Sequence, residues 1–98
     1  MSGELYIIGE FRARPGHESA VEAAILRVIP QTRREATCLG ITAFRSNRDA
    51  ARFFIHSRWR DEAAFEAHAL LPHTVAFLED VGPRLTHEVE VARLSSIA

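Results

Sequence analysis

Arg52-Phe53-Phe54-Ile55-His56-Ser57-Arg58-Trp59 is the stretch on which the fold turns. Rich in aromatic and β-branched types and followed by the polar Arg60-Asp61, it reads as a strand. Side chains alternate across a strand, so Phe53, Ile55, Ser57 and Trp59 share one face while Phe54, His56 and Arg58 share the other. Apolar groups on both faces place this strand inside a sheet that is covered on both sides.

Just upstream, Leu39 to Arg45 is a second β-like run, and Ser46-Asn47-Arg48-Asp49 between the two has hairpin-loop chemistry, which predicts an antiparallel pair. Further upstream, Leu5-Tyr6-Ile7-Ile8-Gly9-Glu10-Phe11-Arg12 is a strand, apolar on both faces at its start, that stops at the turn Pro15-Gly16. Ser19-x-x-Glu22 then has the form of a capping box. Ala20, Val21, Ala24, Ile25, Val28 and Thr32 recur at the spacing of one helical face, with Pro30 expected to kink that helix rather than end it.

Downstream of the decisive strand, Asp61 stands as an N-cap before a helical run from Glu62 to His68 that Pro72 interrupts. A second helical piece carries Val75, Phe77, Leu78 and Val81, and Gly82-Pro83 stops it. Leu85 to Leu94 alternates apolar and polar residues, as an edge strand with one wet face does. The order β-α-β-β-α-β predicts one α+β domain over residues 1–98, with a ferredoxin-like four-stranded antiparallel sheet whose first and third strands are central. Helices of such a unit cover one sheet face. The apolar side chains on the other face predict a homodimer in which a second copy covers it.

Composition removes many functions. Hydrophobic residues at 47% and charged residues at 26% are those of an ordinary globular chain, and a net charge of −1 offers no footprint for nucleic acid or anionic lipid. No apolar run approaches the roughly 20 residues of a membrane span, no secretory leader is legible, and Cys38 is alone, so a cytoplasmic location is expected. All twelve basic residues are arginine, which excludes a Schiff-base lysine and a P-loop lysine. Neither a phosphate-cradling glycine spacing nor a Gly-x-Ser-x-Gly elbow occurs. Five histidines invite a metal, but no i, i+4 pair or Cys-x-x-Cys supports one, and none is expected. Arg33-Arg34-Glu35 reads as a solvated helix end, and Cys38 as a small buried hydrophobe.

Phe11-Arg12-Ala13-Arg14-Pro15-Gly16, Thr32-Arg33-Arg34-Glu35 with Cys38-Leu39, and above all Trp59-Arg60-Asp61-Glu62-Ala63-Ala64-Phe65-Glu66-Ala67-His68 with Pro72-His73 resemble the antibiotic biosynthesis monooxygenase domain. The resemblance spans nearly the whole chain and implies a dimeric α+β barrel. It also implies oxidation of phenols or quinols by dioxygen without metal or flavin. Two departures stand out: Glu35-Ala36-Thr37-Cys38 replaces a common Glu-Pro-Gly-Cys, and Ser57 stands where many members carry a glutamate. Haem degradation fits poorly, because the first strand has no asparagine and Leu70 stands eleven residues after Trp59.

On residue type alone, His68 beside Ala64 and Phe65 on one helical side is more often structural than catalytic. With the resemblance it becomes the candidate base, since an imidazole can take a phenolic proton near neutrality. Trp59 and Phe65 are the candidate pocket walls. His73 reads first as a solvated helix cap and is carried as a second substrate-binding candidate. His56 is a third, although it lies on the strand face opposite Trp59 and reaches the same cavity only through a bulge. The reading is a cofactor-independent monooxygenase of a small aromatic phenol or quinol. The alternatives are an isomerase or lyase of a small carbonyl metabolite, and a non-catalytic dimer that binds a small ligand.

Overall fold

The structure, a computed structural model, describes residues 3–98. Strand β1 (Leu5–Arg12), helix α1 (Glu18–Arg33), strands β2 (Cys38–Arg45) and β3 (Arg52–Trp59), helices α2 (Glu62–His68) and α3 (Pro72–Val81), a 3₁₀ turn (Gly82–Arg84) and strand β4 (Glu90–Leu94) follow in order. The antiparallel sheet runs β2-β3-β1-β4, with β3 and β1 central. The fold is ferredoxin-like α+β, as the order of elements predicts.

The register explains which residues meet. Leu5 faces Trp59, Ile7 faces Ser57, Gly9 faces Ile55 and Phe11 faces Phe53, and all eight turn inward under the helices. Val21, Ala24, Ile25, Val28, Ile29 and Thr32 of α1 bury against them, at a helical spacing that continues through Pro30. A smaller cluster of Leu5, Ile7, Trp59 and Ala64 closes the α2 end of the core. The outer face carries Tyr6 and His56, with ring centroids 6.2 Å apart, together with Ile8, Phe44 and Phe54. No helix among the described residues covers that face, and Ile8 and Phe44 remain 39% and 52% exposed.

Two local expectations are corrected. Ser19 does not cap α1: the helix starts at Glu18 with His17 as N-cap, and the Glu18 carboxylate accepts from the Gly16 N–H at 2.9 Å. Gly16, at φ +88°, turns the chain early enough for the helix to begin before Ser19. Glu22 instead pairs with Arg45 at 2.7 Å. The last strand is also shorter than its alternation. Glu10 pairs with Glu90, yet Ala13 bridges Leu85, so three steps along β1 are matched by five along the C-terminal segment. A continuous ladder cannot absorb that mismatch, and the chain around His87 loops out.

Candidate functional site

Helix α2 places its last residue, His68, over the end of β3, because Asp61 caps the helix two residues after the strand closes, its carboxylate accepting from Ala64 N–H at 2.8 Å. The imidazole lies 4.5 Å from the Trp59 ring and 5.9 Å from Phe65. Trp59 is fully buried and donates its indole N–H to Ser57 Oγ at 2.9 Å, so it forms a fixed floor behind His68. Phe65 is held from outside by Arg93 of β4, whose guanidinium sits 5.1 Å over the ring and bonds both Glu62 and Glu66.

His68 and Phe65 line a cavity of about 140 Å³ between helices and sheet. Its walls are mainly apolar, with Phe11 and Ile55 from the sheet and Phe77 from α3. The polar groups facing it are few: His68, Ser57, Thr32 and Thr74. Leu78 and Val91, both partly exposed, mark the side nearest solvent. An apolar cavity of roughly 150 Å³ accommodates one benzene ring, so this one matches a single aromatic ring.

Behind His68 stands a residue that sequence reasoning placed in solvent. Glu35, just past the end of α1, turns inward with an 11% exposed side chain, and its Oε2 lies 2.8 Å from His68 Nδ1 and 2.7 Å from His73 Nε2. An ionised carboxylate only accepts, so this pairing puts the ring protons on His68 Nδ1 and His73 Nε2 and leaves Nε2 as the unoccupied nitrogen of a neutral His68. Thr74 Oγ1, 3.3 Å from His68 Nδ1, adds a weaker neighbour. A sequence signal for Glu35 did exist: a carboxylate at a helix C-terminus faces the negative end of the dipole and calls for a partner.

The candidates therefore separate. His68 and Phe65 line the cavity, and Trp59 supports His68 from behind without lining it. His73 is no solvated cap: it is 19% exposed, bonds Glu35, and borders a different groove with Arg27, Gln31 and Asp80. His56 stays on the outer face with Tyr6, because β3 keeps regular alternation through Ser57 and its bulge-bearing neighbour is β2. Cys38 is half-buried, and burial pushes its thiol above the ordinary cysteine range, which disfavours a thiolate. Glu35, His68 and His73 bring three possible ligand atoms within 4.8 Å of one another.

The ferredoxin-like sheet and a ring-sized cavity beneath its helices define a small α+β protein with an apolar cavity inside the single chain. That class is narrowed by comparison with known proteins. The chain belongs to the antibiotic biosynthesis monooxygenase family, whose model matches residues 5–80. It is 29% identical over 97 residues to the Mycobacterium tuberculosis protein named "Putative monooxygenase Rv0793", covering 99% of this chain and 95% of that one. The solved structure of that relative superposes with a TM-score of 0.91, at 27% identity, over 97% of this chain and 96% of that one. The crystal structure of PA3566 from Pseudomonas aeruginosa does so with a TM-score of 0.92, at 31% identity, over 100% and 98%. Among the described residues no helix is long and apolar enough to cross a membrane.

Proposed function

We propose that this protein is a monooxygenase that oxidises a small, electron-rich phenol or quinol with dioxygen and without a cofactor. The observation that carries the reading is His68, a histidine at the wall of a ring-sized apolar cavity with Glu35 bonded to Nδ1. In that arrangement Nε2 is available to take a phenolic proton, and Glu35 steadies the imidazolium that forms. The resulting anion is electron-rich enough to reduce dioxygen itself, and a dry, fixed site holds the two reactants together.

The balance for a hydroquinone is closed. One oxygen atom enters a ring carbon and the other leaves as water, while the substrate gives up four electrons and ends as a hydroxyquinone. No external reductant is required. Phe65 walls the ring, Trp59 holds His68 in place, and Ser57, Thr32 and Thr74 are the groups that would orient hydroxyls. The uncovered outer face of the sheet, with Ile8, Phe44 and Phe54, supports a two-fold dimer in which a second copy supplies the missing layer.

Oxygen uptake with a panel of monocyclic hydroquinones and menadiol, compared between the wild-type chain and His68→Ala, tests the reading. Uptake above the buffer blank that depends on His68, with one atom from labelled dioxygen in the product, is the expected result. Turnover that persists without dioxygen would instead favour an isomerase or lyase. Uptake equal to the blank across the panel would count against oxidation altogether.

A further inference from the structure

The proposed oxidation needs His68 and Glu35 but gives no task to His73, and the three residues together have a chemistry of their own. We infer that Glu35, His68 and His73 form a binding site for a zinc-type divalent cation. Three separate segments deliver the donors: the loop after α1, the end of α2 and the start of α3. Both ring nitrogens converge on one carboxylate oxygen, at 2.8 and 2.7 Å, and all three donor atoms lie within 4.8 Å of one another. Side-chain exposures of 11–19% make the cluster sheltered yet reachable from solvent.

The donor set selects the ion. Two imidazoles and one carboxylate suit zinc, cobalt or ferrous iron, whereas magnesium and calcium require oxygen ligands. Three protein ligands with one position left open is the pattern of non-structural zinc sites. Bonds of about 2.1 Å in a tetrahedron set ligand atoms about 3.4 Å apart, so the Glu35 oxygen has to withdraw by roughly 0.6 Å from each nitrogen. Glu35 lies beyond the last residue of α1 and before β2, so that step is asked of a side chain in the link and of neither element.

Occupation would have a consequence for the cavity, and this clause alone rests on the proposed oxidation. A neutral imidazole carries one proton. A cation on His68 Nδ1 moves that proton to Nε2, the nitrogen required as base, so the loaded and base-competent states of His68 exclude each other.

Equilibrium dialysis of the chelator-treated, intact protein against Zn²⁺, with Co²⁺ absorption spectra in parallel, tests the site. The expected result is one ion per chain, with the intense visible bands of low-symmetry Co²⁺. Glu35→Gln and His73→Gln should each weaken binding by more than about 100-fold, beyond the 10–100-fold typical of removing an outer partner. A triple variant lacking His17, His56 and His87 should bind as the wild type does. Circular dichroism establishes that each variant is folded, and either of the two single variants suffices for the comparison. Absence of saturable binding overturns the inference, as does binding that survives both single variants or disappears in the triple one. Since binding is read without substrate, a chain that fails here yet consumes oxygen through His68 would lose the cation site and keep the proposed activity.

Discussion

Glu35 Oε2 lies 2.8 Å from His68 Nδ1, joining a residue of the α1–β2 loop to the last residue of α2 across 33 positions of sequence. This contact gives His68 its tautomer. A glutamine in place of Glu35 has an amide that can donate to Nδ1, which would force the proton onto Nε2, the nitrogen the proposed reaction needs as base. We therefore expect Glu35→Gln to lower kcat by about 100-fold or more, and His68→Ala by about 10²–10⁴-fold, the usual worth of a general base. Glu35→Asp should retain more activity than Glu35→Gln. Oxygen uptake with the best hydroquinone of the panel measures all three, and equal rates for the Glu35→Gln and wild-type chains would remove Glu35 from the mechanism.

Trp59, the last residue of β3, is fully buried against Ala64 of α2 and bonded to Ser57. Replacing it by alanine empties the second core cluster and should cost about 3–5 kcal/mol. Phenylalanine keeps most of the packing but loses the indole donor, for about 1–2 kcal/mol. Urea unfolding measures both. A phenylalanine variant as unstable as the alanine one would mean that the packing a phenyl ring retains contributes little here and that the indole with its hydrogen bond to Ser57 carries the stability.

Glu10, on the outer face, accepts from Arg52 at 2.8 Å and from Arg12 at 2.9 Å. The Arg52 hydrogen bond is the main reason its carboxyl is held below the ordinary glutamate range. A carboxyl lowered in the folded state contributes stability that is fully present above its unfolded value of about 4.3 and is lost as pH falls through the folded value. Glu10→Gln should accordingly flatten the decline of stability below about pH 5 while lowering stability at pH 7. Melting temperatures from pH 7 down to 3 would reveal it, and parallel curves for the two proteins would refute the linkage.

The outer face should hold two copies together. Sedimentation equilibrium at micromolar concentration is expected to return twice the chain mass, and Ile8→Arg, at the middle of β1, should shift the population to monomer and lower the melting temperature. A folded wild-type species of monomer mass would leave Ile8 and Phe44 without cover and overturn the dimer.

The order of elements and the central place of β1 and β3 were legible from local pattern. Two-fold alternation in Arg52–Trp59, helical spacing from Val21 to Thr32 and the Asp61 cap each follow from backbone geometry acting over a few residues. That His68 and Phe65 share a side was legible because positions three apart on a helix are neighbours, whereas the role of base expected for His68 came from the family resemblance. What lay outside reach was any relation that no period encodes. Nothing within a few residues of Glu35 says that its carboxylate will meet His68 and His73, because that meeting depends on how α1, α2 and α3 rest on one sheet. The break between Leu85 and Glu90 likewise follows from pairing register with β1 rather than from its own alternation. Local sequence determined the strands, helices and apolar faces of this protein, since each is a property of neighbours along the chain. Tertiary packing alone decided which polar groups share a buried site, since that requires distant segments to be brought within hydrogen-bond distance.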